Sequence, residues 1–278
     1  MALHIYPVTI RSVTPFVQCL LSRPTTENRS APTLIYFHGF NGTRNQIFQD
    51  KYVEFAEAVQ AIGYNLLSID LRGHGDRRDD RKSHALDNVM KLMKHPQKNP
   101  FDGAIADIEK TVQFLIEKKI CLPQQIAACG LSWGAMHALY ALKQSYHVRC
   151  CIALLPVGKI TNMVEFKRMS TDPLVKKYDP LNYVTGIAPK PLLMISAEND
   201  TRINPLYAGQ LYEKLYPEYK AAGAGDKLVY KMLLDVGHHY DSKMADMTVK
   251  WLKEHLVADP STKTVSNQDN DESMPNIF

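Results

Sequence analysis

Alternating strand and helix patterns predict a single α/β domain with a mostly parallel central sheet. A continuous apolar run, such as 33–38, is typical of a strand buried on both faces, and 148–155 is also predicted to be a strand. Amphipathic stripes with helical spacing separate them, as at 102–118. Because consecutive parallel strands need a crossover, this alternation predicts about eight strands with helices on both faces of the sheet.

The first third of the chain begins with two alternating β-like segments, 3–10 and 14–21, joined closely enough for an antiparallel hairpin. A buried strand at 33–38 and a helix at 47–62, which ends at Gly63, follow. The next predicted elements are a strand at 64–69, a possible short helix at 85–94 and a helix at 102–118 capped by Asp102. The charged residues of 76–82 are interpreted as a solvated face.

The remainder continues the alternation with a strand, a turn and a helix around residues 125–140. Further strands are predicted at 148–155, 191–196 and 227–234, and helices at 204–216 and 241–256. Residues 157–178 have helical spacing with breaks at Pro173 and Pro180, and we expect them to form a small lid that covers the site together with 76–100. One domain, 1–257, uses all these elements, and the polar segment 258–278 is expected to be a disordered tail.

The bulk composition is that of a soluble globular protein. The chain has 278 residues, 45% of them apolar and 22% charged, with a net charge of +4. Basic and acidic residues are interleaved, which argues against nucleic-acid binding. No apolar window is long enough to span a membrane, and the five cysteines favour buried thiols in a reducing compartment, so a cytoplasmic location is expected.

The most informative motif is Gly130-Leu131-Ser132-Trp133-Gly134. An apolar strand enters it and a helical segment leaves it. Glycines two residues before and after Ser132 allow a strained turn that exposes the serine hydroxyl, and the following helix directs its N-terminal N–H groups towards that position. Alternatively, Ser132 caps the helix.

Three further unusual loops follow predicted parallel strands, at 38–40, 197–202 and 237–239. The carboxyl ends of parallel strands lie at one edge of a sheet, where ligands gather. A serine nucleophile needs a base and a carboxylate that orients the base, and the chain supplies Asp200 and His238 in these loops. Glu198 and Asp235 compete with Asp200 for the acid, and His239 competes with His238 for the base.

The order Ser132, Asp200, His238 resembles that of the α/β-hydrolase superfamily, and the resemblance extends over nearly the whole chain. The segments 70–75 and 192–200 look like those of prolyl-oligopeptidase-like and dienelactone-hydrolase-like esterases and peptidases. The resemblance implies that Ser132 is the nucleophile, Asp200 the acid and His238 the base. It also implies that the backbone N–H groups of Phe40 and Trp133 form the oxyanion hole.

The resemblance implies a serine hydrolase whose substrate is a small molecule, an ester or thioester with a small-to-medium acyl group. Neither a cofactor nor a metal is expected. Phe40, Trp133, Met163 and Phe166 are predicted to contact a modest apolar acyl group, although the core is the commoner place for a stripe such as Met163 and Phe166. Two alternatives remain. One is a serine peptidase that acts on short peptides, and the other is a non-catalytic ligand receptor built on the same scaffold.

Overall fold

The computed structural model describes residues 3–12, 15–24, 30–79 and 82–256. The predicted tail, 258–278, lies outside the described residues. Among the described residues, no helix combines the length and apolar character that crossing a membrane requires.

Eight strands form one sheet in the described part of the chain. Its spatial order is β1-β2-β4-β3-β5-β6-β7-β8. The strands β1 and β2 pair antiparallel, β2 is also antiparallel to β4, and all other pairs are parallel. The prediction of a mostly parallel sheet with an antiparallel N-terminal hairpin is confirmed. The strand bounds are Ile5–Ile10 (β1), Val17–Ser22 (β2), Thr33–Phe37 (β3), Asn65–Ile69 (β4), Ile126–Leu131 (β5), Val148–Leu154 (β6), Leu192–Ala197 (β7) and Leu228–Leu233 (β8).

Helices cover both faces of this sheet. Alternate residues of β3 point to opposite faces, with Leu34 in one apolar cluster and Ile35 in the other. The Leu34 cluster contains side chains of α1 and α8, and the Ile35 cluster contains side chains of α3, α4 and α7. The helix bounds are Val53–Ala61 (α1), Ala85–Met93 (α2), Asp102–Glu117 (α3), Trp133–Gln144 (α4), Pro173–Tyr178 (α5), Pro180–Tyr183 (α6), Leu206–Ala221 (α7) and Ser242–His255 (α8).

The segment predicted as one helix at 47–62 is divided. Two 3₁₀ turns, Gln46–Phe48 and Asp50–Tyr52, precede α1. Gln49 is extended and Asp50 has a φ of +50°, so the backbone leaves the helical region between the two turns. The apolar stripe was a sound guide to burial, but it did not predict this break.

The predicted lid, 157–178, contains two 3₁₀ turns, Ile160–Asn162 and Val164–Phe166, followed by α5. Pro173 begins α5 rather than breaking a helix. Asp172 caps α5 by accepting hydrogen bonds from the N–H groups of Leu174 and Val175, at 2.9 and 3.1 Å. Proline suits the first helical position because that N–H has no intrahelical acceptor.

One expectation about charged residues is wrong, and another is wrong at one residue: Asp76, Asp79 and Lys82 are exposed as predicted, residues 80–81 lie outside the described residues, and Arg77 is the exception. Asp102 does not cap α3, because the Asn99 side chain accepts from the N–H groups of Phe101 and Asp102 instead. In addition, Arg77 does not lie on a solvated face: it is buried, and its guanidinium forms an ion pair with the buried Asp107 at 2.7 Å. Asp107 also pairs with Arg72 at 2.8 Å, which explains how these charges are tolerated in the interior.

Candidate active site

Ser132 occupies the tight turn between β5 and α4. Its φ of 57° and ψ of −114° lie in a region that non-glycine residues rarely adopt. The residue is only 3% exposed, and its Oγ has no hydrogen-bond partner among the described residues. The Ser132 side chain makes no capping hydrogen bond to α4. The alternative in which Ser132 is a simple helix cap therefore has no support in this geometry.

The two glycines of the motif allow this turn because they remove side chains at points of close approach. A Cβ atom at Gly130 would collide with the backbone of Gly134. A Cβ atom at Gly134 would collide with the carbonyl group of Phe37, at the end of β3. The sequence pattern therefore corresponds to a close approach between α4 and two neighbouring strands, which fixes the position of Ser132.

Asp200 and His238 meet beside this turn. Asp200 follows β7, His238 follows β8, and the His238 Nδ1 lies 2.8 Å from the Asp200 Oδ2. The other carboxylate oxygen of Asp200 accepts from the backbone N–H groups of Arg202 and Ile203, at 2.9 and 2.8 Å. Every polar atom of this carboxylate thus has a partner, so its orientation towards His238 is fixed.

The competing residues occupy other positions. Glu198 is exposed, and its carboxylate accepts from the Asp235 N–H at 3.2 Å. His239 lines the same cavity as His238, but the hydrogen bond to Asp200 belongs to His238. The bond from Asp200 to Nδ1 leaves Nε2 of His238 as the nitrogen that could accept a proton from a hydroxyl group.

The loop after β3 carries Phe40, one of the two predicted oxyanion donors. His38 holds the start of this loop through its imidazole, since Nε2 accepts from the Leu71 N–H at 3.0 Å and Nδ1 lies 2.8 Å from the Gly39 carbonyl oxygen. Because Nε2 accepts the hydrogen bond from Leu71, it carries no proton. The ring proton is therefore on Nδ1, and His38 is neutral. Burial also lowers the pKa of His38 well below its ordinary value of 6.5.

Trp133, the other predicted donor, is the first residue of α4. A backbone N–H at this position has no acceptor within its own helix and is available to a ligand. Because α4 also directs the positive end of its dipole towards the Ser132 turn, this position favours developing negative charge.

Asp70 and Arg44 brace the far end of the Phe40 loop, and the sequence analysis did not identify them. Asp70 is buried and accepts from the Arg44 N–H at 2.7 Å and from the Asp76 N–H at 3.0 Å. Its carboxylate also pairs with the Arg44 guanidinium. The available signal was the position of Asp70 directly after β4, at the same edge of the sheet as the other site loops.

A cavity of about 260 Å³ contains the side chains of Ser132 and His238. Its other lining side chains are of both kinds: Asn41, Gln46, Arg202 and His239 are polar, Tyr52 carries a hydroxyl on an aromatic ring, and Phe40, Leu131 and Leu155 are apolar. The sequence analysis had placed Phe40 at this cavity and had not identified Asn41, Gln46, Tyr52 or Arg202. Arg202 lies in the loop after β7, and this position was its signal, whereas Gln46 and Tyr52 lie in the two 3₁₀ turns before α1 and had no such signal.

Trp133, Met163 and Phe166 do not line this cavity in the described structure. Trp133 and Phe166 are fully buried, and their rings stack with centroids 5.2 Å apart. Met163 is 1% exposed in the same apolar cluster. The Phe40 ring lies edge-on to Trp133 at 5.4 Å, so the three residues support the cavity from beneath.

Residues 157–178, predicted as the lid, border a second cavity. Lys159, Asn162 and Lys167 line it, whereas no described residue of this segment lines the Ser132 cavity. Among the described residues, no cluster of three or more His, Cys, Asp or Glu side chains is arranged to hold a metal ion.

The model of the α/β hydrolase fold family matches residues 32–172 of this chain, and the protein belongs to that family. The match includes β3, the Ser132 turn and α4. The family assignment made from the sequence is confirmed.

Solved structures of low sequence identity share this fold. The esterase Pf2001 of Pyrococcus furiosus is 20% identical, with a TM-score of 0.63 over 92% of this chain and 94% of that one. The acylaminoacyl peptidase of Pyrococcus horikoshii is 18% identical, with a TM-score of 0.69 over 92% of this chain and 42% of that one. A Bacillus subtilis protein named "Putative hydrolase YtaP" is 22% identical over 79% of this chain and 77% of its own.

Proposed function

We propose that this protein is a serine hydrolase that transfers a small acyl group from an ester or thioester to water. The pairing of His238 with Asp200, beside a strained Ser132 whose hydroxyl has no hydrogen-bond partner in the described part of the chain, is the observation that carries this proposal. Ser132 and His238 supply a nucleophile and a base in one cavity, and Asp200 supplies the acid that orients the base from behind it.

In the proposed reaction His238 Nε2 removes the Ser132 proton as Oγ attacks the substrate carbonyl carbon. The N–H groups of Phe40 and Trp133 stabilise the negative charge that develops on the carbonyl oxygen. His238 then donates the proton to the leaving group, which leaves an acyl-enzyme on Ser132. Water, activated by the same imidazole, releases the acid and restores the serine. Asp200 stabilises the imidazolium in both steps.

No group of residues 3–12, 15–24, 30–79 or 82–256 forms a hydrogen bond with Ser132 Oγ in the free protein, and the proposal is compatible with this. Catalytic hydrogen bonds are often long or poorly aligned until substrate binds. A cavity of about 260 Å³ is at the small end of the range for ligand sites, which favours a short acyl group.

The first test is Ser132→Ala with acetyl, butyryl and octanoyl esters and thioesters. The variant should lose activity by about a thousandfold or more, because no other group can form the acyl-enzyme. Ser242→Ala, which removes an exposed hydroxyl at the start of α8, is the matched control and should retain activity.

A fluorophosphonate probe separates this proposal from a non-catalytic receptor. The wild-type protein should form one adduct, at Ser132, and Ser132→Ala should form none. Absence of labelling in the folded wild-type protein would favour the receptor. Cleavage of short peptides but not of esters or thioesters would favour the peptidase.

A further inference from the structure

A second cavity, of about 650 Å³, lies next to the Ser132 cavity. Arg202 lines both, so its side chain forms part of the wall between them. The second cavity is otherwise lined mainly by residues 159–170, between β6 and α5, and by Thr201 and Tyr207. A substrate bound at Ser132 and longer than its acyl group could therefore extend past Arg202 into this space.

The position of Arg202 is coupled to the proposed triad. Its backbone N–H donates to Asp200 at 2.9 Å, and its guanidinium pairs with Glu165 at 2.5 Å. The two contacts hold the residue from both sides, while its side chain remains about one-third exposed. Arg202 is thus a fixed boundary between the reacting atoms and the second cavity.

The second cavity has an excess of positive charge. Glu165 offsets Arg202, and the ammonium groups of Lys159 and Lys167 add two positive charges, although Lys159 also interacts at longer range with the buried Asp179 carboxylate. Neither lysine has a carboxylate within ion-pair distance among the described residues, and none of the described lining residues is acidic. Lys159 Nζ lies 5.2 Å from the centre of the Tyr207 ring. The resulting cation–π interaction holds the ammonium group at the cavity wall.

Polar groups without charge complete the lining. Thr161, Asn162, Ser170 and Thr201 contribute hydroxyl and amide groups, and the Asn162 Nδ2 is buried without a hydrogen-bond partner among the described residues. An amide N–H₂ group is a donor, as are ammonium groups. The buried Asn162 Nδ2 lies behind the wall, so the donors that the cavity presents are the hydroxyl groups and the ammonium groups of Lys159 and Lys167, which match an acceptor with negative charge.

We propose that the second cavity binds a carboxylate of the substrate, so that the favoured substrates are acidic esters or thioesters. The inference rests on the proposed function, because it assumes that the reacting carbonyl group lies at Ser132. The ammonium groups of Lys159 and Lys167 can bind a singly charged carboxylate, because Arg202 beside them is already paired with Glu165. The carboxylate belongs either to the acyl group or to the leaving group.

The test compares acidic substrates with neutral ones of similar shape. For the acyl side, the pair is mono-4-nitrophenyl adipate and its methyl ester. For the leaving-group side, the pair is 4-acetoxybenzoate and 4-acetoxybenzamide. We expect kcat/KM to be about tenfold higher for the acidic member of one pair, and this preference should decrease with added salt, which screens exposed charges. Equal kcat/KM values within both pairs would overturn the proposal.

Lysine variants connect the preference to this cavity. The double variant Lys159→Gln/Lys167→Gln should reduce the ratio of acidic to neutral kcat/KM to about one. Lys176→Gln removes an exposed lysine of α5 that does not line the cavity, and it should leave the ratio unchanged. If the double variant retained the ratio, the preference would arise elsewhere and the proposal would be wrong.

A binding measurement keeps this proposal distinct from the proposed function. Adipate, for the acyl side, and 4-hydroxybenzoate, for the leaving-group side, are titrated calorimetrically into Ser132→Ala protein with and without the two lysine substitutions. Binding that the substitutions weaken about tenfold supports the cavity even if no ester is hydrolysed and the fluorophosphonate fails to label Ser132. Binding of equal strength to both proteins, or no binding to either, overturns it.

Discussion

The backbone of Ser132 shows how a single residue is constrained for chemistry. A non-glycine residue at φ 57° and ψ −114° costs about 1–3 kcal/mol, and surrounding structure must hold it there. The N–H of Ser132 donates to the Leu154 carbonyl at 2.8 Å, and its own carbonyl accepts from Ala135 at 2.9 Å. One bond ties Ser132 to the neighbouring strand β6, and the other ties it to the start of α4.

The Asp200 carboxylate supplies a prediction at the same scale. Asp200→Asn should lower kcat by about two to four orders of magnitude, because an amide can donate to His238 Nδ1 and favours the wrong tautomer. The fold should be retained, since the amide oxygen can still accept from Arg202 and Ile203. The measurement is kcat on the best ester, with circular dichroism to monitor folding.

Glu198→Gln is the control for this prediction. Glu198 lies in the same loop but is exposed and bonds to the Asp235 N–H. It should retain nearly full kcat. An Asp200→Asn protein as active as Glu198→Gln would show that Asp200 does not orient the base.

Among the elements, α4 has the closest contact with the sheet. Its first ten residues are all buried, and it packs on β3, β5 and β6. Gly134 makes this approach possible because any side chain there would collide with the Phe37 carbonyl group. The helix that positions Ser132 is therefore held by a backbone contact that one methyl group would disrupt.

Gly134→Ala should lower the free energy of unfolding by about 1–3 kcal/mol or more, because an overpacked contact with rigid backbone relaxes poorly. Gly225→Ala is the matched control, since a Cβ atom there meets open space, and its effect should stay within about 0.5 kcal/mol. Urea midpoints measure both. Equal midpoints for the two variants would contradict the close approach.

Strands were predicted from sequence to within a few residues, because runs such as 34–37 and 192–195 are apolar and are followed by loops that contain polar residues. Two segments with helical spacing were predicted less well. The division of 47–62 depends on the backbone of Gln49 and Asp50, which hydrophobic spacing does not report. The lid residues Met163 and Phe166 had the right spacing for a helix, yet a core and an acyl pocket are both apolar, so periodicity could not distinguish them.

For the site, the sequence indicated the strand ends and the order of the three groups. It could not indicate which side chains turn into the cavity. Gln46, Tyr52 and Arg202 line it because of loop conformations that no spacing predicts. Trp133 turns away into the core because α4 rotates its first side chain towards Phe166.

At the scale of the whole molecule, titratable groups are enclosed between the sheet and its helices. His74 and His137 are almost fully buried, and burial lowers the pKa of each to about 4. His38 has a lowered pKa for the same reason. These histidines are neutral in the folded protein, whereas in the unfolded chain they titrate near a pKa of about 6.5.

This difference predicts a loss of stability in acid. Above a pH of about 6.5 the histidines are neutral in both states and stability is unaffected. As pH falls from there towards about 4, the unfolded chain binds protons that the folded protein does not. Each buried histidine then lowers the free energy of unfolding by up to about 1.4 kcal/mol per pH unit.

His137→Gln isolates one of these contributions, because its side chain does not titrate and can still donate to the Trp133 carbonyl, the partner of His137 Nδ1 at 2.9 Å. The variant should be less stable at neutral pH, since its shape fits the core less well, but its stability should fall less steeply between pH 6.5 and 4.5. His4→Gln, which alters an exposed histidine, should keep the wild-type slope. Urea unfolding at half-unit pH intervals gives the three slopes. A His137→Gln slope equal to the wild-type slope would mean that His137 binds its proton equally well in both states, and the acid sensitivity would then have to come from other groups.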